Sequence, residues 1–392
     1  MIDFLREAQG LFEYTRDLRR DFHQHPELGF QEVRTAGIVA RELNQLGLEV
    51  STGVGKTGVV ATLEGGNPGP VILARFDMDA LPIQEETGAE YASQTPGVMH
   101  ACGHDGHTAA GLAVARILEA HKAELNGTVK LVFQPAEEGL GGAEAMLADG
   151  VLENPRPDRS LSMHMWNEKP VGWIGVTPGP AMSASDRFTV KIIGRGGHGA
   201  APHLGVDPVV AGAQVISALQ NIVSRNVPPL ESAVVTVTSM TGGEAFNVIP
   251  ETVELRGTIR SFKPEVRDLV LERFQEIVVG VSEAMGCQVE VALRKITPAT
   301  INDLEMAERV RGVASRILPQ AELDTDECTM GSEDMAYLMD DIPGCYFFVG
   351  SANHDQGLDA AHHHPKFDFD ESALPRAAAL MAASVVEFLD KN

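Results

Sequence analysis

Five separated stretches of this chain collect side chains that bind metals or carry protons. The densest is Met99-His100-Ala101-Cys102-Gly103-His104-Asp105-Gly106-His107, where one thiol and several imidazoles share a loop ahead of a small-residue helix. A helix start offers free N–H groups and a partial positive charge, which favour a thiolate or carboxylate there. Taken alone, the loop reads equally well as a buried structural cysteine near surface histidines. Gln134-Pro135-Ala136-Glu137-Glu138-Gly139 places two adjacent carboxylates where an apolar run, Val129 to Phe133, opens into a loop. One could bind metal and the other move protons, with a solvated acidic turn as the plain alternative. Arg75-Phe76-Asp77-Met78-Asp79 ends another apolar run, and strand alternation puts Asp77 and Asp79 on one side. Such carboxylates can orient a ligating imidazole by accepting its second N–H, or they can cap a helix. His164 follows Leu161 to Met163, and His362, His363 and His364 precede Pro365. A lone histidine is usually structural, but catalytic metal sites gather their ligands from several loops and strand ends in this way. The mixed nitrogen, oxygen and sulfur donors suit zinc, and also manganese, cobalt or nickel.

The elements that must position these residues follow an α/β layout. Apolar spacing predicts helices from Phe4 to Phe22, Val33 to Leu46 and Thr108 to Ala120, with buried strands at Val59 to Leu63, Val71 to Ala74 and Val129 to Phe133. The middle of the chain differs. Strands around Phe188 to Ile192, Val234 to Val237, Val253 to Ile259 and Val289 to Leu293 surround helical spacing at Val206 to Ile216 and Val266 to Val281. This is the β-α-β-β-α-β order of a ferredoxin-like unit. Pro178-Gly179-Pro180 and Thr297-Pro298-Ala299 bracket it as linker points. The expectation is a discontinuous catalytic domain of residues 1–180 and 297–392, with an inserted domain of residues 181–296.

Composition narrows the partners. The 392 residues are 44% hydrophobic and 22% charged, the balance of a globular protein, and longer than a single core usually grows. A net charge of -24 without a basic stripe excludes nucleic acid as a partner and disfavours anionic membranes. The four cysteines lie far apart, so neither a disulfide framework nor an all-cysteine zinc site is expected. The start Met1-Ile2-Asp3-Phe4 has no signal or transit pattern and no run reads as membrane-spanning, so the expectation is a cytoplasmic protein.

Nearly end to end, the chain resembles the amidohydrolase branch of the metallopeptidases that includes carboxypeptidase G, aminoacylase, hippurate hydrolase and indoleacetyl-amino-acid hydrolase. The likeness rests on Asp21-Phe22-His23-Gln24-His25-Pro26-Glu27-Leu28-Gly29, Asp77-Met78-Asp79-Ala80-Leu81-Pro82, His100 to His107, Gln134 to Glu138, Gly197-His198-Gly199-Ala200 and Gly331-Ser332-Glu333-Asp334. It implies a metallopeptidase-like catalytic domain whose inserted ferredoxin-like domain serves as lid and dimerisation platform. It makes Cys102 a thiolate bridging two divalent metal ions, with His104, Glu138, His164 and one C-terminal histidine completing the ligands. The signature histidine two residues before proline falls on His363, though His364 between them leaves the choice among the three open. Glu137 becomes the general base and Asp79 the partner that orients a ligand. His198 reaches the active site of a neighbouring subunit to hold the carbonyl oxygen. His23 and His25 stay structural, and His107 supports the helix start.

The implied reaction is hydrolysis of an N-acyl amino acid. Two metals acidify a shared water, Glu137 takes its proton, and the proton passes to the leaving amine. Asn247, and Arg260 with its planar fork, are candidates for gripping the free carboxylate, a surface salt bridge being the alternative for Arg260. Rival readings are a metal-free cysteine hydrolase using Cys102 and His104, a dipeptidase, an N-acetyl-diaminopimelate deacetylase, and a catalytically silent binder of acyl amino acids. A homodimer or homotetramer is expected, and the acyl group is not legible.

Overall fold

The apolar runs on either side of the inserted segment become one eight-stranded sheet. Its order is Glu49–Val54, Gly58–Glu64, Asn126–Gln134, Asn67–Asp77, Arg159–Pro170, Gly344–Ala352, Trp173–Gly175 and Glu322–Asp324. The four strands from Asn126–Gln134 to Gly344–Ala352 run parallel to one another. They are almost continuously buried from Val71 onward, as strands covered on both faces must be. The computed structural model describes residues 2–390, so the expected domain ends at residues 1 and 392 lie outside the described residues.

Two helices dominate the packing on this sheet. His104–Ala120 lies close because its contact face is small: a Cβ on Gly111 would come within 2.6 Å of Phe76 and 2.9 Å of Phe133. Those two rings sit with centroids 5.4 Å apart. Leu374–Leu389 is buried along nearly its whole length. By length and composition alone the segment Glu371–Leu389 could cross a membrane. Its apolar window is 72% buried because it is the core helix of this unit.

The chain divides into two compact units, the first comprising Met1–Ala181, Ile301–Cys328 and Asp334–Asn392, the second Met182–Thr300 and Thr329–Glu333. The second unit has its own antiparallel sheet, ordered Ala233–Thr241, Thr252–Ser261, Ala184–Ile193 and Gln288–Thr297. Helices Pro208–Asn221 and Pro264–Ala284 cover it around Phe188 and Phe274. The split β-α-β-β-α-β order is therefore present. The short return Thr329–Glu333 joins this unit because Ser183 donates its N–H and hydroxyl to Gly331 O, at 2.8 and 3.1 Å.

Two local expectations change. Residues Phe4 to Phe22 form two helices, Phe4–Gly10 and Phe12–Gln24, with the break at Leu11, whose N–H turns back to Glu7 and Ala8. The helix expected from Thr108 begins at His104, so His104, Asp105 and His107 are its first turn and not a preceding loop. Gly103, at φ +89°, makes the sharp entry that a side chain would hinder.

Candidate metal centre

The first unit brings its candidate residues to the carboxyl ends of the parallel strands, where α/β sheets bind ligands. Asp77 ends one strand and pairs in register with Gln134, which ends the next. His164 lies opposite Phe348 in the following pair. The thiol of Cys102 is 3.4 Å from His164 Nε2, and His363 Nε2 is 3.1 Å from Glu138 Oε1. Of the five groups among the described residues whose donor atoms lie within 4.8 Å of one another, three hold the expected ligands: Cys102 with His104 and His164, Cys102 with Glu138 and His363, and His104 with Glu137 and Glu138. Cys102 is common to two of these groups.

Hydrogen bonds fix which ring nitrogens face inward. His104 Nδ1 lies 2.9 Å from the Asp79 carbonyl and 3.2 Å from its carboxylate. A carbonyl only accepts, so Nδ1 carries the proton and Nε2 is the nitrogen left for a ligand; it is buried without a hydrogen-bond partner. His164 repeats the arrangement, with Nδ1 donating to Met165 O at 2.6 Å and Nε2 facing the thiol. Two buried imidazoles presented as the same tautomer toward a thiol and carboxylates fit a divalent cation, since an oriented imidazole is what metal ligation requires.

The electrostatics agree with that fit. Burial alone would lower the His104 pKa, but Asp77 and Cys102 outweigh it and push it well above the usual range. A site that draws a proton onto His104 is one that favours positive charge at Nε2, and a metal ion supplies more of it. Hydrogen bonds to Cys102 and Glu138 raise His363 to about 10. Burial and then His107 hold His164 well below the ordinary histidine value. Asp77 is buried, yet His104, Arg75 and His107 keep its carboxyl far below the usual range.

The neighbouring histidines are otherwise engaged. His107 meets Asp77 through Nδ1 at 2.6 Å and accepts the Met165 N–H on Nε2 at 2.9 Å. His362 accepts the Asn167 N–H on Nε2 at 3.1 Å, though its Nδ1 lies 3.9 Å from Cys102 Sγ. His364 accepts the Lys366 N–H at 3.1 Å. Only His363 of the three groups with Cys102 and Glu138, from a backbone at φ +65°. His23 sits between Asp105 and Glu85, and His25 bonds Asp21 O.

The remaining candidates belong to the second unit. His198 pairs with Val248 in a two-stranded ribbon, and Gly199 N–H donates to Asn247 O at 2.8 Å, so His198 and Asn247 are near neighbours on an exposed ribbon. Arg260 lies on the Thr252–Ser261 strand, with Nη1 buried and unpartnered.

Sequence reasoning assigned no part to Arg75, which ties the strand ends together from behind. Arg75 donates to Gln134 at 2.9 Å, to Asp77 at 2.6 Å and to Asp334 at 3.1 Å. Its only signal is an arginine in an otherwise apolar strand, since a buried charge demands partners.

A cluster of thiol, imidazole and carboxylate beyond parallel strand ends defines a metallohydrolase centre, and the chain belongs to the peptidase family M20/M25/M40, whose model matches residues 73–387. It is 42% identical to the N-acetyl-L-cysteine deacetylase of Bacillus subtilis, over 96% of this chain and 88% of that one. With the hippurate hydrolase of Campylobacter jejuni it shares 37% identity, over 99% of each chain. The crystal structure of a Bacillus subtilis protein described as a dinuclear metal-binding peptidase of the M20 family superimposes with a TM-score of 0.85 at 37% identity, covering 97% of this chain and 99% of that one.

Proposed function

We propose that the protein hydrolyses the amide bond of N-acyl amino acids with two divalent metal ions, zinc, manganese, cobalt or nickel, per chain. The observation that carries this reading is the pair of buried imidazoles, His104 and His164, whose Nδ1 atoms each meet a backbone carbonyl, leaving the Nε2 of His164 3.4 Å from the Cys102 thiol and that of His104 buried without a hydrogen-bond partner. Two relatives named for the hydrolysis of N-acetyl-L-cysteine and of hippurate support the substrate class.

Cys102, His104, Glu138, His164 and His363 are the residues that would hold the ions. Bound there, the ions supply Lewis acidity, bringing the pKa of a water toward roughly 7. Glu137 takes the proton of the attacking water and returns it to the amine nitrogen as the carbon–nitrogen bond breaks. Asp79 holds the His104 tautomer. His198 donates to the carbonyl oxygen in the active site of a neighbouring subunit, and Asn247 and Arg260 grip the free carboxylate. The second unit acts as lid and as the platform for a dimer or tetramer. In this reading the catalytic domain is residues 1–180 and 297–392, and the inserted lid and dimerisation domain is residues 181–296.

The experiment is metal content by mass spectrometry, with hydrolysis of N-benzoylglycine and N-acetyl amino acids before and after chelation. About two metals per chain and activity restored by metal support the proposal. Activity that survives chelation but is lost on thiol alkylation would instead establish a cysteine hydrolase.

A further inference from the structure

Glu32 occupies the N-cap position of the helix Val33–Gln45, yet its side chain caps nothing there. Glu27 does that work, accepting the N–H groups of Arg34 and Thr35 at 3.0 and 2.8 Å. The Glu32 carboxylate is instead wholly buried and reaches two other segments. One oxygen accepts the Ala136 N–H at 2.9 Å and the other accepts the Thr57 hydroxyl at 2.5 Å.

Ala136 directly precedes Glu137 and Glu138, and its φ is +53°. A non-glycine residue in the left-handed region is strained and persists only where its surroundings hold it. Among the described residues five non-glycine positions have positive φ, and one of them, Ala136, donates its N–H directly to this carboxylate. Strain held by one buried acceptor has an evident use. The left-handed turn at Ala136 decides the direction in which the next two carboxylates leave the strand.

We propose that Glu32 is a positioning residue, holding Ala136 in its left-handed turn so that Glu137 and Glu138 face the metal centre. This rests on the roles given above to Glu137 and Glu138. Glu32 touches neither substrate nor metal in this scheme; it acts through the Ala136 amide.

The test compares the metal-loaded full chain with Glu32→Ala, Glu32→Gln, Thr57→Val and the double variant Glu32→Ala with Ala136→Gly. Glu32→Ala should lower kcat at least about tenfold while KM moves less than about threefold, the pattern of a misplaced catalytic group. Glu32→Gln keeps an oxygen for the Ala136 N–H and should recover most of the loss. Thr57→Val, which removes only the other contact, should stay near wild type. Glycine adopts the left-handed turn unaided, so the double variant should regain part of the lost kcat. Independently of turnover, the visible absorption spectrum of the cobalt-loaded protein should shift in Glu32→Ala, because Glu138 moves within the ligand field.

An unchanged kcat and cobalt spectrum in Glu32→Ala would overturn the proposal. So would a loss in which Glu32→Gln is as impaired as Glu32→Ala and melting temperature falls in parallel, the mark of lost stability alone. Wild-type protein that binds cobalt but cleaves no N-acyl amino acid would sink the proposed function while the spectral comparison still decides the role of Glu32. Wild type that takes up no metal would overturn both.

Discussion

Asp79 grips His104 twice, through its carbonyl at 2.9 Å and its carboxylate at 3.2 Å, and its second carboxylate oxygen accepts the Glu138 N–H at 3.1 Å. One side chain thereby orients one proposed ligand and the backbone of another. Asp79→Ala should weaken metal binding roughly 10- to 100-fold, the usual effect of losing a partner that orients a ligand. Competition titration against a chromophoric chelator measures it, and an affinity equal to wild type would remove Asp79 from this role.

Glu137 is buried beside His104 and Glu138, in the donor group nearest the proposed chemistry. Glu137→Gln preserves shape and should lower kcat by about 10²- to 10⁴-fold, the span typical of a lost general base. Metal content should stay at the wild-type level. A variant that loses metal in proportion to activity would make Glu137 a ligand instead.

Arg260 carries a buried Nη1 with no partner, and burial pulls its pKa below the usual arginine value. A guanidinium kept unsatisfied in this way is suited to a carboxylate brought by a ligand. Arg260→Ala should raise KM for N-acyl amino acids roughly 10- to 100-fold, the worth of a hydrogen bond to a charged group. The corresponding N-acyl amino acid amides, which lack the carboxylate, should show little change. Equal effects on both substrates would remove Arg260 from the substrate site.

His23 provides a pH signature. Burial disfavours its charged form, but hydrogen bonds to Asp105 and Glu85 raise its pKa from 6.5 to about 9. A raised folded-state value means that its stabilisation is complete below the unfolded value of 6.5 and is lost as pH climbs through about 9. Unfolding midpoints in denaturant should therefore fall for wild type between these limits, and fall less in His23→Gln. Parallel curves for the two proteins would count against a charged His23.

Much of this was legible because the informative residues sit at element ends. The strand Val129 to Phe133 announced where Glu137 and Glu138 emerge, and the alternation around Phe188 and Val253 marked out the second sheet. What escaped notice depends on contacts distant in the chain. Arg75 meets Asp334, and Glu32 meets Ala136, across separations that no local pattern encodes. His363 could not be separated from His362 and His364 by spacing, because the difference lies in what each ring already bonds. The early start of the helix at His104 depended on the backbone of Gly103, whose conformation leaves no periodic trace.

The buried helix Leu374–Leu389 has a consequence for biosynthesis. The first unit cannot complete its core until that helix has left the ribosome, whereas every strand of the second unit's sheet is made before it. A nascent chain held before residue 374 should contain an ordered inserted unit beside an unfinished catalytic one, with its proposed ligands synthesised but not yet gathered. Metal capture then becomes one of the last events of folding, and a chain that stalls late exposes the Cys102 thiol that the finished protein keeps covered.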